Sequence, residues 1–203
     1  AEDIYKPMNK FLCKNILKEK YNIEDRFILY VGGFSPRKNI IGLIEAFSLI
    51  TPKNRKNTKL VITGKKGVSY EKYKKRADEL NLKDDVIFTD FIPVEDMPIF
   101  YNATELLVYP SFYEGFGLPP IEAMACGTPV VTSNVTSIPE FCSEAALLID
   151  PYNIDELSKS IEDILNDSLL MLTLIKKGLS CSLNFSWRLT AEKTIAAYNS
   201  MLK

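Results

Sequence analysis

The chain contains no histidine. That absence removes the commonest general base and metal ligand, and it excludes a Ser–His or Cys–His nucleophile pair within these 203 residues. Cysteine is sparse: Cys13, Cys126, Cys142 and Cys181 are scattered with no CxxC pair. Such spacing signals neither a zinc site nor a disulfide framework, and reduced thiols of a cytosolic protein fit best. No apolar run approaches the roughly eighteen residues needed to cross a bilayer, and no signal-peptide pattern is visible. Membrane contact is therefore expected only at the periphery. The net charge of −1 gives no whole-molecule positive field to attract nucleic acid. The basic run Lys72–Lys75 reads as a solvated helix face.

What is present is ordinary for a globular core, with 46% hydrophobic residues, and its order is informative. From residue 27, short apolar runs alternate with amphipathic stretches. Strands are predicted at Phe27–Val31, Leu60–Thr63, Val86–Phe91, Leu106–Pro110, Val130–Thr132 and Ala146–Ile149. Helices are predicted at Asn39–Ile50, Tyr70–Leu80 and Val94–Asn102, at roughly 120–126, and at Ile154–Leu165, Leu169–Leu179 and Ala191–Leu202. Alternation repeated this often implies βαβ units with right-handed crossovers. Continuous apolar strands imply a sheet covered on both faces. The expected fold is α/β: a doubly wound, Rossmann-like parallel sheet of about six strands with helices on both faces. Residues 1–26 read as an interdomain linker and a packed leading helix around Phe11–Glu19, and 27–203 as one ligand-binding domain. In such a sheet ligands bind beyond the carboxyl ends of the strands, where the strand order reverses.

Unusual residues cluster at those ends. The segment PSFYEGFGLPPIEAMACGTPVV, Pro110–Val131, follows the fourth strand. Gly115 and Gly117 let the backbone approach a ligand closely. Pro119 or Pro120 suits a first helical turn and Gly127 the position past its end. The helix start then offers free N–H groups and a positive dipole end. Glu114 and Glu122 bracket the bend with seven residues between them. Acceptor-only carboxylates suit vicinal hydroxyls. Glu122 alone reads equally well as a partner of the helix dipole, whereas the pair around a glycine bend favours function. The turn after the first strand, VGGFSPRKN, brings Gly33, Arg37 and Lys38 beside a helix N-terminus, where they suit a phosphate or diphosphate. The turn lacks both the GxxxxGK[ST] and the GxGxxG spacing, so neither a Walker loop nor a redox dinucleotide site is indicated. Gly64-Lys65-Lys66-Gly67 reads either as a border of that phosphate site or as a plain basic loop. Phe91-Ile92-Pro93 reads either as a flank for a planar base or as core.

These segments, with FIPVEDMPIFYNA, SIPEFCSEAALLIDP and the late Phe185–Trp187 FSW, resemble the C-terminal domains of family 4 glycosyltransferases of the GT-B fold, from about residue 4 onward. The likeness implies that Glu114 and the backbone of Gly115, Phe116, Gly117 and Leu118 hold a donor sugar, with Glu114 the candidate catalytic group. It implies that Glu122 grips the ribose, that Phe91 and Ile92 flank the base, and that Gly33, Arg37 and Lys38 cradle the diphosphate. It further implies a retaining hexosyl transfer that needs no metal or other cofactor, with a GDP- or UDP-linked donor. GDP-mannose is common among RKN-bearing relatives, so a mannosyltransferase-like enzyme of polysaccharide synthesis is expected. Many members carry an arginine where this chain has Phe34, which shifts phosphate neutralisation toward Arg37 and Lys38.

The family also has an N-terminal acceptor domain, which is absent here, and its acceptors are glycans or lipid-linked. The chain is accordingly expected to be half of a cytoplasmic enzyme, peripheral to the inner face of a membrane, and inactive in isolation. The rival readings are a non-catalytic nucleotide-sugar-binding module and a GT-B sugar-nucleotide epimerase.

Overall fold

A computed structural model of the chain describes residues 3–201. The predicted elements at the extreme ends, residues 1–2 and Leu202, lie outside the described residues. Six strands form one all-parallel sheet: β1 (Arg26–Val31), β2 (Thr58–Thr63), β3 (Val86–Phe88), β4 (Leu106–Tyr109), β5 (Val130–Ser133) and β6 (Leu147–Ile149), in the order β3-β2-β1-β4-β5-β6. Their apolar side chains are almost wholly buried, from Phe27 and Tyr30 through Leu60, Val61 and Ile62 to Val108, Val130 and Val131. Only a sheet covered on both faces accommodates such continuous apolar runs.

The helices are α1 (Lys10–Tyr21), α2 (Ile40–Leu49), α3 (Pro52–Arg55), α4 (Tyr70–Glu79), α5 (Met97–Ala103), α6 (Leu118–Ala125), α7 (Pro139–Cys142), α8 (Ile154–Asn166), α9 (Ser168–Ser182) and α10 (Trp187–Met201). A single 3-10 turn at Pro36–Lys38 precedes α2. The chain winds outward from β1 to β2 and β3, then returns to β4 and winds the other way to β5 and β6. Right-handed crossovers in opposite directions put the two sets of helices on opposite faces. In agreement, α2 packs with α4 and α8, while α1 packs with α5, α5 with α6, and α6 with α9. The reversal falls between β1 and β4, which are hydrogen-bonded neighbours with Ile28 opposite Leu106.

The six predicted strands and eight predicted helices, the leading helix included, are all present, with shifted ends. β3 stops at Phe88, three residues short of the prediction, because the Asp90 carboxylate takes the Phe91 N–H at 2.8 Å and turns the chain. α5 begins at Met97 and not at Val94, since Val94 and Glu95 lie in a turn ahead of the Asp96 N-cap. α6 begins at Leu118, two residues before the prediction. α1 is tied to the common core. Cys13 and Leu17 are fully buried, Tyr21 meets Phe100 edge-to-face at 4.9 Å, and Lys20 and Tyr21 both donate to Asp96. Among the described residues α10 buries no side chain, and no helix is long and apolar enough to cross a membrane.

The bend into α6 depends on one glycine. Gly117 caps the helix at φ 103°, and a Cβ there would sit 2.7 Å from Ile138 Cδ1. Backbone strain and the clash act together. Gly117→Ala is expected to destabilise the chain by about 1–3 kcal/mol, read as a lower urea midpoint at unchanged slope.

Candidate functional site

β1 and β4 end side by side, and the two turns that leave them are stitched together where the Phe112 N–H donates to the Arg37 carbonyl at 2.8 Å. This stitch brings three predicted residues into one cluster. The Glu114 side chain is buried. Its Oε1 accepts from Lys38 Nζ at 2.6 Å and from the Tyr109 hydroxyl at 2.9 Å, while Oε2 accepts from Arg37 Nη1 at 3.0 Å. Arg37 Nη1 also donates to the Tyr113 carbonyl at 3.0 Å. Lys38 donates in addition to the Tyr109 hydroxyl, and its ammonium lies 4.7 Å from the Tyr109 ring centroid.

The two cations differ in access. Lys38 is buried, whereas the Arg37 side chain is 51% exposed. Buried charge survives only when paired and hydrogen-bonded, and the Lys38 ammonium has two such partners. Burial pushes the Glu114 carboxyl up, but donors on Lys38, Ser111 and Arg37 and the Lys38 charge together hold it below its ordinary value. The Ser111 hydroxyl is wholly buried and makes no well-aligned hydrogen bond.

The glycine bend follows directly. Its frame is held from the loop after β5: the Glu114 N–H donates to Thr136 Oγ1 at 3.2 Å, and Ser137 Oγ donates to the Glu114 and Phe116 carbonyls at 3.0 and 3.2 Å. The amides of Gly115, Phe116, Gly117 and Leu118 have no acceptor among the described residues. Gly115 and Gly33 both face open space at their missing Cβ positions. The expected row of free N–H groups at the helix start needs correction. Pro119 and Pro120 fill the first turn of α6 and carry no N–H, so the free donors belong to the bend and to Leu118 alone.

Glu122 has different partners from Glu114. Tyr101 donates to its Oε2 at 2.7 Å. Its side chain lines a cavity of about 260 Å³ together with Phe116, Leu118, Ile121, Phe185 and Trp187. Burial, followed by the Glu122 charge, drives the Tyr101 phenol well up, so Tyr101 stays a donor.

Of the pair predicted to flank a base, Phe91 is exposed but the Ile92 side chain is in the core, which leaves Ile92 only its backbone for a ligand. The basic loop after β2 is placed too: Lys66 Nζ stands 5.0 Å over the Tyr70 ring, and Gly64 lets the chain pass the Gly32 carbonyl, which a Cβ would meet at 2.1 Å. Phe34 packs among Tyr70, Tyr73 and Phe88. Sequence reasoning missed Tyr109, Tyr101, Thr136 and Ser137. A tyrosine ending an apolar strand carries no signal that separates it from core. No group of three or more acidic or cysteine side chains among the described residues is spaced to hold a metal ion.

A parallel sheet in the order 3-2-1-4-5-6 with its polar cluster at the β1/β4 reversal defines a Rossmann-like binding domain. Residues 14–180 match the family model described as "Glycosyl transferases group 1", and the chain belongs to that family. It is 37% identical over 194 residues to the O-antigen chain mannosyltransferase B of Escherichia coli, a match covering 96% of this chain and 51% of that protein. Among solved structures it resembles sucrose-phosphate synthase from Thermosynechococcus elongatus, with a TM-score of 0.82 and 31% identity over 98% of this chain and 50% of the other. It shares its fold with the Anabaena protein Alr3699/HepE, solved in complex with UDP and glucose, at a TM-score of 0.84 and 22% identity over 98% of this chain and 54% of the other. The chain thus spans about half the length of these relatives, and its fold is one half of the GT-B architecture.

The Glu114 cluster has a pH signature. A carboxyl held low stabilises the fold above the ordinary glutamate value of 4.5, and the stabilisation is lost as pH falls through the lowered value. Glu114→Gln is expected to melt below wild type near neutral pH, and the gap should close as pH falls through the lowered Glu114 value. Parallel melting curves across that range check it.

Proposed function

We propose that this chain is the donor-binding domain of a retaining glycosyltransferase that takes its sugar from a nucleoside diphosphate, of the mannosyl-transferring kind. The observation that carries the reading is the Glu114–Lys38–Arg37 cluster beside a glycine bend whose four amides lack acceptors. A diphosphate needs cations and N–H donors, and sugar hydroxyls need a fixed acceptor. The β1/β4 rim offers all three. Similarity to the E. coli mannosyltransferase supports the sugar class.

In this reading Lys38, Arg37 and the Gly33 turn meet the diphosphate, and the amides of Gly115–Leu118 with Glu114 hold the sugar. Glu122, steadied by Tyr101, takes the ribose hydroxyls, and Phe91 with the Ile92 backbone lies along the base. As the glycosidic bond to the β-phosphate lengthens, charge grows on the leaving oxygen. Lys38 and Arg37 meet it by fixed electrostatics, the role a divalent metal plays elsewhere, so transfer is proposed to run without metal or cofactor. Glu114 orients the ring and stands as the candidate catalytic group. The acceptor, a glycan or lipid-linked glycan, belongs to an N-terminal acceptor domain of the longer enzyme. In this reading the longer enzyme works in the cytoplasm, against the inner face of a membrane.

Two measurements test this reading. A melting-temperature screen against GDP-mannose, UDP-glucose and related nucleotide sugars should raise the midpoint for one donor class, a stabilisation of about 2.7 kcal/mol at a hundredfold excess over Kd. No shift with any of them overturns the proposal. Lys38→Ala should weaken binding of the preferred donor by roughly 10–100-fold, about 1.4–2.8 kcal/mol, by calorimetric titration. Undiminished binding removes Lys38 from the diphosphate site.

A further inference from the structure

The Tyr109 hydroxyl is the one polar group of the cluster that no site motif includes, and it touches both charged partners at once. Its oxygen accepts from Lys38 Nζ and its proton goes to Glu114 Oε1 at 2.9 Å, while Lys38 itself reaches the same Oε1 at 2.6 Å. The three groups close a triangle in which Lys38, Tyr109 and Glu114 are 8%, 1% and 7% exposed. Burial, then the Glu114 charge, push the phenol far above its usual range, so the hydroxyl stays protonated and remains a donor to the carboxylate.

The ring is fixed as firmly as the hydroxyl. Tyr109 ends β4, its ring stacks on Tyr30 at 6.2 Å and 19°, and its carbonyl accepts from Thr132 Oγ1 of β5 at 2.8 Å. A rigid strand end is therefore the reference point for a lysine on a 3-10 turn and a glutamate on a loop.

Hydrogen-bond arithmetic then separates inner atoms from working atoms. A lysine ammonium has three donors; two are committed inside the triangle, which leaves one for a ligand. Glu114 Oε1 is committed twice. Oε2 accepts from Arg37, whose half-exposed side chain can be drawn away by an incoming anion.

We propose that Tyr109 is a positioning residue of the donor site: it locks Lys38 Nζ and Glu114 Oε1 together, so that Glu114 Oε2 and one Lys38 N–H face the donor in fixed geometry. This rests on the donor-binding reading above. Arg37 covers Oε2 and exchanges it for the diphosphate, so the sugar finds an acceptor already oriented. Tyr109 itself does not touch the donor. Without its hydroxyl, Oε1 loses a donor and Lys38 an acceptor, the carboxylate is less stabilised, and the Lys38–Glu114 pair loses its anchor to the strand end.

The test is Tyr109→Phe, which keeps the ring and its stacking. Binding of GDP-mannose, UDP-glucose and the bare diphosphates GDP and UDP is titrated from about pH 4 to 8 in the whole 203-residue chain. Wild-type binding of a nucleotide sugar tests the donor reading by itself, so its failure is distinguishable from failure of the inference. The expected result is a roughly 5–10-fold loss of nucleotide-sugar affinity, a loss of bare-diphosphate affinity at most half as large in fold terms, and an acid limb moved to higher pH. A uniform loss with an unmoved pH profile marks a merely structural tyrosine and overturns the proposal, as does binding equal to wild type.

Should the variant fail to fold, the wild-type protein decides through its 15N-labelled lysine side chains. The triangle requires a slowly exchanging Lys38 ammonium with a cross-peak to the Tyr109 ring that persists when the nucleotide sugar is added. A fast-exchanging ammonium, or loss of the cross-peak on binding, sinks the inference.

Discussion

A buried carboxylate between two cations governs the functional edge of this molecule. Glu114 and Lys38 are both buried, and burial of a charge is costly unless it is paired and hydrogen-bonded. Each supplies the other's nearest opposite charge, at 2.6 Å. Because one sits after β4 and the other after β1, their pairing also fixes how the two turns meet at the sheet's reversal. Replacing one member leaves the partner's charge stranded, the costly direction in which to break a buried pair. The same contact that keeps the rim in shape therefore keeps its chemistry in place.

From that contact the rest of the rim follows by adjacency. The glycine bend starts at the residue after Glu114 and is braced from the neighbouring β5 loop by Thr136 and Ser137. Its amides have no acceptor among the described residues. The second carboxylate, Glu122, is set apart by one turn of α6 and governed by Tyr101 from α5. Each glutamate accepts from a tyrosine, Glu114 from Tyr109 and Glu122 from Tyr101, and the bend lies between them in the chain.

Much of this was legible in the residues. Strand existence was readable because parallel strands buried on both faces leave unbroken apolar runs, as in Phe27–Val31 and Leu106–Tyr109. The grouping of Arg37, Lys38 and Glu114 near one edge was readable from their places after β1 and β4. That the cations face the glutamate, and not empty space, was not readable, because the stitch between Phe112 and Arg37 is a long-range backbone contact with no local pattern. Strand ends were misjudged where a side chain competes with the ladder, as Asp90 does at Phe91. Ile92 shows the remaining ambiguity: an apolar residue at a strand's exit has the same composition whether it faces a ligand or the core, and here its side chain went inward. Tyr109 was hidden for the same reason, as an aromatic residue in an apolar strand whose hydroxyl, not its ring, has the special surroundings.

Pro119 and Pro120 have an effect beyond the donors they remove. Each ring locks one backbone torsion, so the first turn of α6 is set by the chain itself. Chain entropy that a flexible loop would surrender on meeting its ligand has here been surrendered during folding. Recognition at the neighbouring bend then starts from a stiff frame, and differences between ligands appear as differences in fit rather than in how much backbone each one must freeze.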